Sequence, residues 1–162
     1  MNNIFFYSTG IGQIGIVENG ETITHLYLPN VKPPQDLAVN ETPLLYRAGQ
    51  QIQRYFAGSD KDFNLPLAPA GTEFMQKVWQ SLRAIPYGET RSYGEIAQNV
   101  GNQKAYRAVG MANHNNPIAI IIPCHRVIGA NGKLVGYAGG LDTKAYLLEL
   151  EKHYSELAPD SI

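Results

Sequence analysis

The chain has 162 residues, a formal net charge of −1 and 44% hydrophobic residues. This length suits one domain or two small ones, and this composition can bury a real core. No apolar run is long enough to span a membrane, and the N-terminus lacks the basic start and cleavage site of a signal peptide, so we expect a cytoplasmic protein without membrane contact. The single cysteine excludes an internal disulfide and a thiolate-rich structural zinc site.

Charge is unevenly distributed along the chain. Residues 71–154 carry nine basic and six acidic side chains, whereas residues 1–70 carry four and six. A mild basic excess is usually a solvated surface, but it permits a face that binds phosphates.

The first part of the chain has the pattern of strands followed by one helix. The segments "NIFFYST", "IGQIGIVENG" and "ITHLYLPN" predict three strands, with a tight turn at Asn19-Gly20. The segment "VKPPQDLAVNE" is predicted to be a loop. Thr42 and Pro43 then provide the cap and the first residue of a helix with apolar residues at helical spacing. We therefore expect an α/β domain, a small antiparallel sheet covered by one helix, over residues 1–70 including a Pro- and Asp-rich connector.

From residue 71 to residue 162 the pattern predicts a second, mainly helical domain. Thr72 can cap one helix, and Ser92 with Glu95 forms a capping box that starts another at Tyr93. Asn102 can cap a third helix over residues 103–116. Helices joined by such short turns indicate a helix-turn-helix, the unit that places one helix in a DNA groove.

The third helix of this domain is rich in small residues, among them Ala105 and Ala108 on either side of Tyr106 and Arg107. Small residues let a helix approach its neighbour closely. The pattern fits either packing on another helix or approach to a nucleic-acid backbone, and a single arginine does not decide between them.

The segment "IAIIIPCHRVIG" is predicted to be an apolar strand that ends at the cysteine. A second Asn-Gly turn, at Asn131-Gly132, predicts a hairpin between "RVI" and "LVG", which would serve as a wing. The last helix is predicted from about Thr143, with its inward side formed by Ala145, Leu147, Leu148 and Leu150.

Cys124 stands next to His125, and this pair raises the question of a reactive thiol. A thiol becomes a nucleophile when a base removes its proton and a third group orients that base. Glu151 on the last helix can orient His125, and the amide of Asn116 can hold the turn. From the residues alone, a reactive Cys124 and a buried inert one remain equally open.

The motif "IPCHRV" resembles the active-site signature of the O6-alkylguanine-DNA alkyltransferases, which repair DNA by transferring the alkyl group irreversibly to their own cysteine. The segments "SYGEIA", "KAYRAVGMANHNNP" and "GYAGGLDTKAYLLELE" resemble the same family in order and spacing, so the resemblance covers most of residues 72–152. It implies a ribonuclease H-like first domain, a winged helix-turn-helix second domain and no cofactor. It also implies a monomer that acts on double-stranded DNA containing alkylated guanine, through the minor groove, in a bacterial-type cytoplasm and nucleoid.

The resemblance also implies roles for single residues. Cys124 would accept the alkyl group, His125 (through a water) and Glu151 would remove its proton, and Asn116 would hold the active-site turn. Tyr93, Tyr137, Ala138, Lys144 and the carbonyls of Cys124 and Val127 would bind the flipped base. Arg107 would fill the gap in the duplex, and the remaining DNA contacts would involve Ala105, Tyr106, Ala108 and Arg126.

The chain departs from the family pattern at Ala138, where some members have a serine that donates to guanine O6. Three rival functions remain: a non-catalytic alkyltransferase-like lesion binder, a cysteine hydrolase, and a winged-helix regulator with a buried cysteine. The first is disfavoured because such proteins carry another residue at the cysteine position. The second would leave the helix-turn-helix unexplained, and the third usually needs a further sensor domain.

Overall fold

A computed structural model describes residues 2–137 and 139–157. The chain forms two compact units. The first unit consists of Met1–Ala70 and Pro117–Ile121. The second consists of Gly71–Asn116 and Ile122–Ile162. A single boundary after residue 70 therefore does not describe the chain, because the five residues just before the cysteine motif pack in the first unit.

The first unit is built on a four-stranded sheet whose spatial order is β3-β2-β1-β4. Its strands are β1 (Asn3–Thr9), β2 (Gly12–Glu18), β3 (Ile23–Tyr27) and β4 (Ala38–Val39). The three predicted strands are confirmed, and β1, β2 and β3 pair antiparallel. The sheet is nevertheless mixed, because a fourth strand, β4, forms in the expected loop and pairs parallel with β1.

Helix α1 (Pro43–Phe56) packs on β1 and β2 and covers the sheet as predicted. The hydroxyl of Thr42 accepts a hydrogen bond from the backbone N–H of Leu45, which satisfies one of the free donors at the helix start. Tyr7 on β1 donates its hydroxyl to the carbonyl of Leu45 at 2.9 Å. These contacts hold the helix on the buried face of the sheet.

The second unit is mainly helical. It contains α2 (Glu73–Arg83), α3 (Tyr93–Asn99), α4 (Tyr106–His114) and α5 (Leu141–Glu156), with a 3₁₀ turn at Cys124–Arg126. Helices α2, α3 and α4 pack on one another, and α3 followed by α4 forms the predicted helix-turn-helix. Thr72 caps α2, and Ser92 and Glu95 form the predicted capping box at α3.

Three predicted details of the second unit are wrong. Helix α4 begins at Tyr106, since the side chain of Asn102 accepts from the N–H of Lys104 in a local turn instead of capping the helix. Helix α5 begins at Leu141, and Ala145 is exposed on it. Its buried residues are Lys144, Leu147 and Glu151, so Leu147 lies inward as predicted, whereas Leu148 and Leu150 are only half-buried and two charged residues are buried instead.

The expected apolar strand before Cys124 is also absent as a regular strand. Residues 118, 119 and 122 make isolated bridges, and a turn at residues 120 and 121, where Ile120 has a positive φ of 74°, interrupts extended pairing. The predicted wing consists of a turn that is closed by a hydrogen bond from the N–H of Gly129 to the carbonyl of Lys133. Its first arm, β6 (Val127–Ile128), pairs parallel with β5 (Arg91–Ser92).

Within the described part of the chain, no helix is both long and apolar enough to cross a membrane.

Candidate active site

The cysteine lies at the start of the 3₁₀ turn, immediately after Pro123. Its backbone N–H donates to the carbonyl of Ile122 at 2.8 Å, and the side-chain amide of Asn116 donates to that same carbonyl at 2.8 Å. Asn116 therefore holds the chain as it enters the turn. Cys124 is only 5% exposed, so its thiol lies inside the protein and not on its surface.

His125 and Glu151 form a buried pair beside the cysteine. The Nε2 of His125 lies 2.6 Å from Oε2 of Glu151, a carboxylate supplied by α5. Because a carboxylate only accepts, this contact places the ring proton on Nε2 and leaves Nδ1 as the acceptor. That Nδ1 is buried and has no hydrogen-bond partner within the described residues. His125 is therefore an oriented base whose Nδ1 can accept a proton.

Glu151 is held by more than the histidine. Arg126 donates to Oε1 from Nε at 2.8 Å and to Oε2 from Nη2 at 3.0 Å, and the backbone N–H of Gly88 donates to Oε1 at 3.1 Å. Both oxygens therefore accept two hydrogen bonds. A carboxylate fixed in this way orients the histidine without needing to take its proton.

The electrostatics of the pair follow from burial and from these contacts. Burial alone would raise the pKa of Glu151, but His125 and Arg126 outweigh it and bring the pKa down to about 2. Burial lowers the pKa of His125, although Glu151 acts in the opposite direction. At neutral pH the site thus holds an ionised glutamate and a neutral imidazole.

The thiol of Cys124 is a weak acid in this setting. Burial raises its pKa to about 11, and the side chain of Asn116 and the charge of Lys144 oppose that rise only in part. At pH 7 about one molecule in 10⁴ would carry a thiolate on this pKa. Transfer therefore needs proton removal as part of the reaction, which is the task that the His125–Glu151 pair can perform.

Two side chains from different helices hold the loop that follows the cysteine. Lys144 on α5 donates Nζ to the carbonyls of Val127 at 2.5 Å and Val135 at 2.9 Å. Tyr93 at the start of α3 donates its hydroxyl to Val135 at 3.1 Å. Burial lowers the pKa of Lys144 to about 8. These bonds bring Tyr93, Val127 and Lys144 into one cluster.

Tyr137 is also part of this cluster. It is 9% exposed, and its hydroxyl has no hydrogen-bond partner among the described residues. Burial raises the pKa of that hydroxyl well above its ordinary value, and the charges of Cys124 and Glu151 act in the same direction. Ala138, the position that departs from the family pattern, lies outside the described residues.

The predicted DNA contact of Arg126 is corrected by the structure. The side chain is 6% exposed, pairs with Glu151 and donates Nη1 to the carbonyl of Ile85 at 2.7 Å. Its guanidinium also lies over the ring of Tyr87, 5.6 Å from the centroid. The resemblance implied a DNA contact at this position, but here the guanidinium is the buried counter-ion of the buried carboxylate of Glu151.

The other predicted DNA-binding residues lie at the start of α4. Tyr106, Arg107 and Ala108 are exposed there, and Ala105 is half-buried just before the helix. The opposite side of α4 is buried through Val109 and Ala112, and the indole of Trp79 on α2 donates to the carbonyl of Ala112 at 2.8 Å. The helix is thus anchored on one side and presents its first turn to solvent.

The sequence analysis missed Asn113, which the structure places in the site. Asn113 is 3% exposed on the buried side of α4, and its amide donates to the carbonyl of Cys124 at 3.3 Å. Its position four residues after Val109 was the available signal, because a polar side chain on an otherwise apolar helix face needs a partner.

Comparison with known families agrees with this geometry. A model of the "6-O-methylguanine DNA methyltransferase, ribonuclease-like domain" matches residues 5–69, and a model of the DNA-binding domain of the same enzymes matches residues 73–153. The chain belongs to the 6-O-methylguanine DNA methyltransferase family.

Several members of the 6-O-methylguanine DNA methyltransferase family resemble the chain over most of its length. The methylated-DNA–protein-cysteine methyltransferase of Methanosarcina acetivorans is 60% identical and covers 75% of this chain and 77% of its own. The constitutive enzyme of that name from Bacillus subtilis is 48% identical over 94% of this chain and 96% of its own. A structure of Mycobacterium tuberculosis OGT in complex with DNA is 46% identical with a TM-score of 0.89, over 94% of each chain.

Proposed function

We propose that this protein repairs DNA directly, by transferring the alkyl group of O6-alkylguanine irreversibly to Cys124. The observation that carries the proposal is the buried thiol beside a histidine whose accepting nitrogen is open and whose other nitrogen is fixed by Glu151. The names of the family members that resemble the chain support the same reaction. O4-alkylthymine is a second substrate that the same chemistry would allow.

The transfer is a single displacement. The proton of Cys124 passes to Nδ1 of His125, directly or through one water, and the resulting imidazolium is stabilised by the carboxylate of Glu151. The thiolate sulfur forms a bond to the alkyl carbon, and the bond between that carbon and guanine O6 breaks. Its electron pair stays on the guanine, which takes up one proton to become the normal base. The thioether has no ready hydrolysis route, so each molecule reacts once.

The target atom lies within a stacked duplex, so we propose that the nucleotide is flipped out before it reacts. The exposed first turn of α4, with Tyr106, Arg107 and Ala108, would enter the minor groove of the duplex together with Ala105 just before it, and Arg107 would occupy the gap. Tyr93, Val127, Tyr137, Ala138 and Lys144 would contact the flipped base. A structure of a family member in complex with DNA supports DNA as the partner. We propose that the protein acts as a monomer in the cytoplasm and nucleoid.

Intact-protein mass spectrometry tests the proposal. The protein is mixed with an excess of duplex containing one O6-methylguanine, and the mass of the intact protein is measured. Peptide mapping then locates any added group. We expect one methyl group per protein, located on the peptide that contains Cys124, with no second turnover. A protein that binds the duplex but gains no mass would be a non-catalytic lesion binder, and a methyl group on another residue would overturn the assigned acceptor.

Arg107→Ala is expected to slow repair of duplex DNA by about tenfold to a hundredfold, because an unfilled gap makes the flipped state less favourable by a few kcal/mol at most. Reaction with the free base O6-benzylguanine, which needs no flipping, is expected to change less than twofold. Single-turnover rates on both substrates check this. Arg83→Ala, an exposed arginine at the end of α2, is the control. Equal losses on both substrates would contradict the role of Arg107.

A further inference from the structure

Asn113 bridges the backbone of the attacking residue and the side chain of Tyr93. It lies on the buried side of α4, and its side-chain amide donates to the carbonyl of Cys124 at 3.3 Å and also hydrogen-bonds the side chain of Tyr93. The Tyr93 hydroxyl uses its own hydrogen for the carbonyl of Val135 at 3.1 Å. In the contact with Asn113 the phenol oxygen therefore accepts and the amide donates.

The turn at the cysteine keeps its hydrogen bonds without Asn113. The carbonyl of Cys124 also accepts from the backbone N–H of Val127, and Asn116 holds the chain where it enters the turn. Loss of the 3.3 Å bond from Asn113 therefore leaves that carbonyl paired. The bond to Tyr93 has no such substitute, because no other group in the described part of the chain donates to its phenol oxygen.

The hydroxyl hydrogen of Tyr93 can change its acceptor without leaving a carbonyl unpaired. Its present acceptor, the carbonyl of Val135, also accepts from Nζ of Lys144 at 2.9 Å. Tyr93 can therefore turn this hydrogen to a base while Lys144 still holds the loop. As long as the phenol oxygen accepts from Asn113, the hydrogen points away from α4.

The departure of guanine needs a hydrogen-bond donor at the base. When the bond between the alkyl carbon and O6 breaks, the electron pair stays on the guanine, and a donor placed against the base stabilises this developing charge. Hydrogen bonds in a chain polarise one another, so a phenol whose oxygen accepts from an amide donates more strongly through its own hydrogen. Burial raises the pKa of Tyr93, and the bond from Asn113 acts against that rise.

We propose that Asn113 is a positioning residue for alkyl transfer and that it acts through Tyr93. By donating to the phenol oxygen, it directs the hydroxyl of Tyr93 to the alkylated guanine and strengthens the hydrogen bond that supports the departing base. Asn113 itself does not touch the base, and Tyr93 keeps its proton. The proposal rests on the proposed function, because it concerns the guanine from which Cys124 takes its alkyl group.

A double-mutant cycle tests whether Asn113 acts through Tyr93. Single-turnover methyl transfer is measured from a single-stranded oligonucleotide containing O6-methylguanine, which needs no flipping out of a duplex. Tyr93→Phe is expected to slow transfer by about tenfold to a hundredfold, and Asn113→Leu by about threefold to tenfold, the order of one neutral hydrogen bond. In the Tyr93→Phe protein, Asn113→Leu should change the rate by less than about twofold, because the hydroxyl through which it acts is gone. Asn115→Leu, the same change at an exposed position two residues away, is the control and should leave the rate unchanged.

A better leaving group should depend less on Asn113. O6-methyl-8-azaguanine in the same oligonucleotide has a ring nitrogen that stabilises the departing anion, so the loss caused by Asn113→Leu should shrink to less than about twofold. A substitution that only displaced Cys124 would slow transfer from both bases by the same factor. Urea unfolding checks that each variant is folded, and Asn113→Ala replaces the leucine variant in both measurements if that variant is not.

Three results would overturn the proposal and leave the proposed function intact. They are a wild-type rate in the Asn113 variant, the same loss with and without the Tyr93 hydroxyl, and the same loss on both bases. A wild type that methylates Cys124 with neither the oligonucleotide nor the lesion duplex would overturn the proposed function itself, and this proposal with it.

Discussion

Cys124→Ser is expected to lower the rate of alkyl transfer by about 10⁴-fold or more. A hydroxyl is a far weaker acid than a thiol, and its oxygen is the poorer nucleophile towards an alkyl carbon. The histidine that removes the proton is itself a weak base here, since burial lowers its pKa. Transfer of a proton to this imidazole is much less favourable from an alcohol than from a thiol with a pKa of about 11. Single-turnover assays with a methyl-labelled O6-methylguanine duplex measure the loss.

DNA binding is expected to survive the same substitution. Serine nearly matches cysteine in shape, the site is buried, and the exposed residues that would contact DNA lie on α4. We therefore expect the dissociation constant for the lesion duplex to change by less than about threefold, and the unfolding free energy by about 1 kcal/mol or less. A Cys124→Ser protein that still accepted the methyl group would show that another residue is the acceptor.

The sequence predicted the fold well wherever short-range signals decide structure. The caps at Thr42, Thr72 and Ser92 and the turn at Asn19-Gly20 depend only on neighbouring residues, and the elements they delimit are present. Strand β4 has two residues and is held by pairing with β1, a contact distant in sequence. No local pattern could have distinguished it from the loop around it.

The site was predicted by family resemblance, and the structure adds what that resemblance left out. The bond between His125 and Glu151 joins residues 26 positions apart, and the resemblance implied it. The place of Arg126 could not be read from the sequence, because its burial depends on pairing with Glu151, 25 positions away. Asn113 was missed for a similar reason, since its partner, the carbonyl of Cys124, exists only once the 3₁₀ turn has formed.

Glu151→Gln is expected to destabilise the protein by about 3–5 kcal/mol, because it leaves the buried charge of Arg126 without a counter-ion. The new amide group would also place hydrogens against donors from Arg126 or Gly88, whichever way it turns. Transfer is expected to slow as well, since the imidazolium of His125 would lose its carboxylate. Urea unfolding at pH 7 and single-turnover transfer measure the two effects. Glu149→Gln, an exposed glutamate on the same helix, is the control.

The free energy of unfolding of the wild type should also fall when acid removes the charge of Glu151. The pKa of Glu151 is about 2 in the folded protein and near its ordinary value of 4.5 when unfolded, so its stabilisation is complete above about pH 4.5 and is lost as the pH falls towards 2. The pKa of His125 is also lowered by folding, so protonation of the unfolded chain below about pH 6.5 weakens the fold further. Glu151→Gln should flatten the more acidic part of this profile.

A double variant separates the structural task of Glu151 from its chemical one. Arg126→Met in the Glu151→Gln background removes the unpaired cation and fills its space with an apolar side chain, so most of the lost stability should return. The transfer rate should not return, because His125 still lacks the carboxylate that stabilises its protonated form. Recovery of both would mean that Glu151 serves only to neutralise Arg126. Recovery of neither would mean that Arg126 is needed in its own right, through its hydrogen bond to the carbonyl of Ile85 and its position over Tyr87.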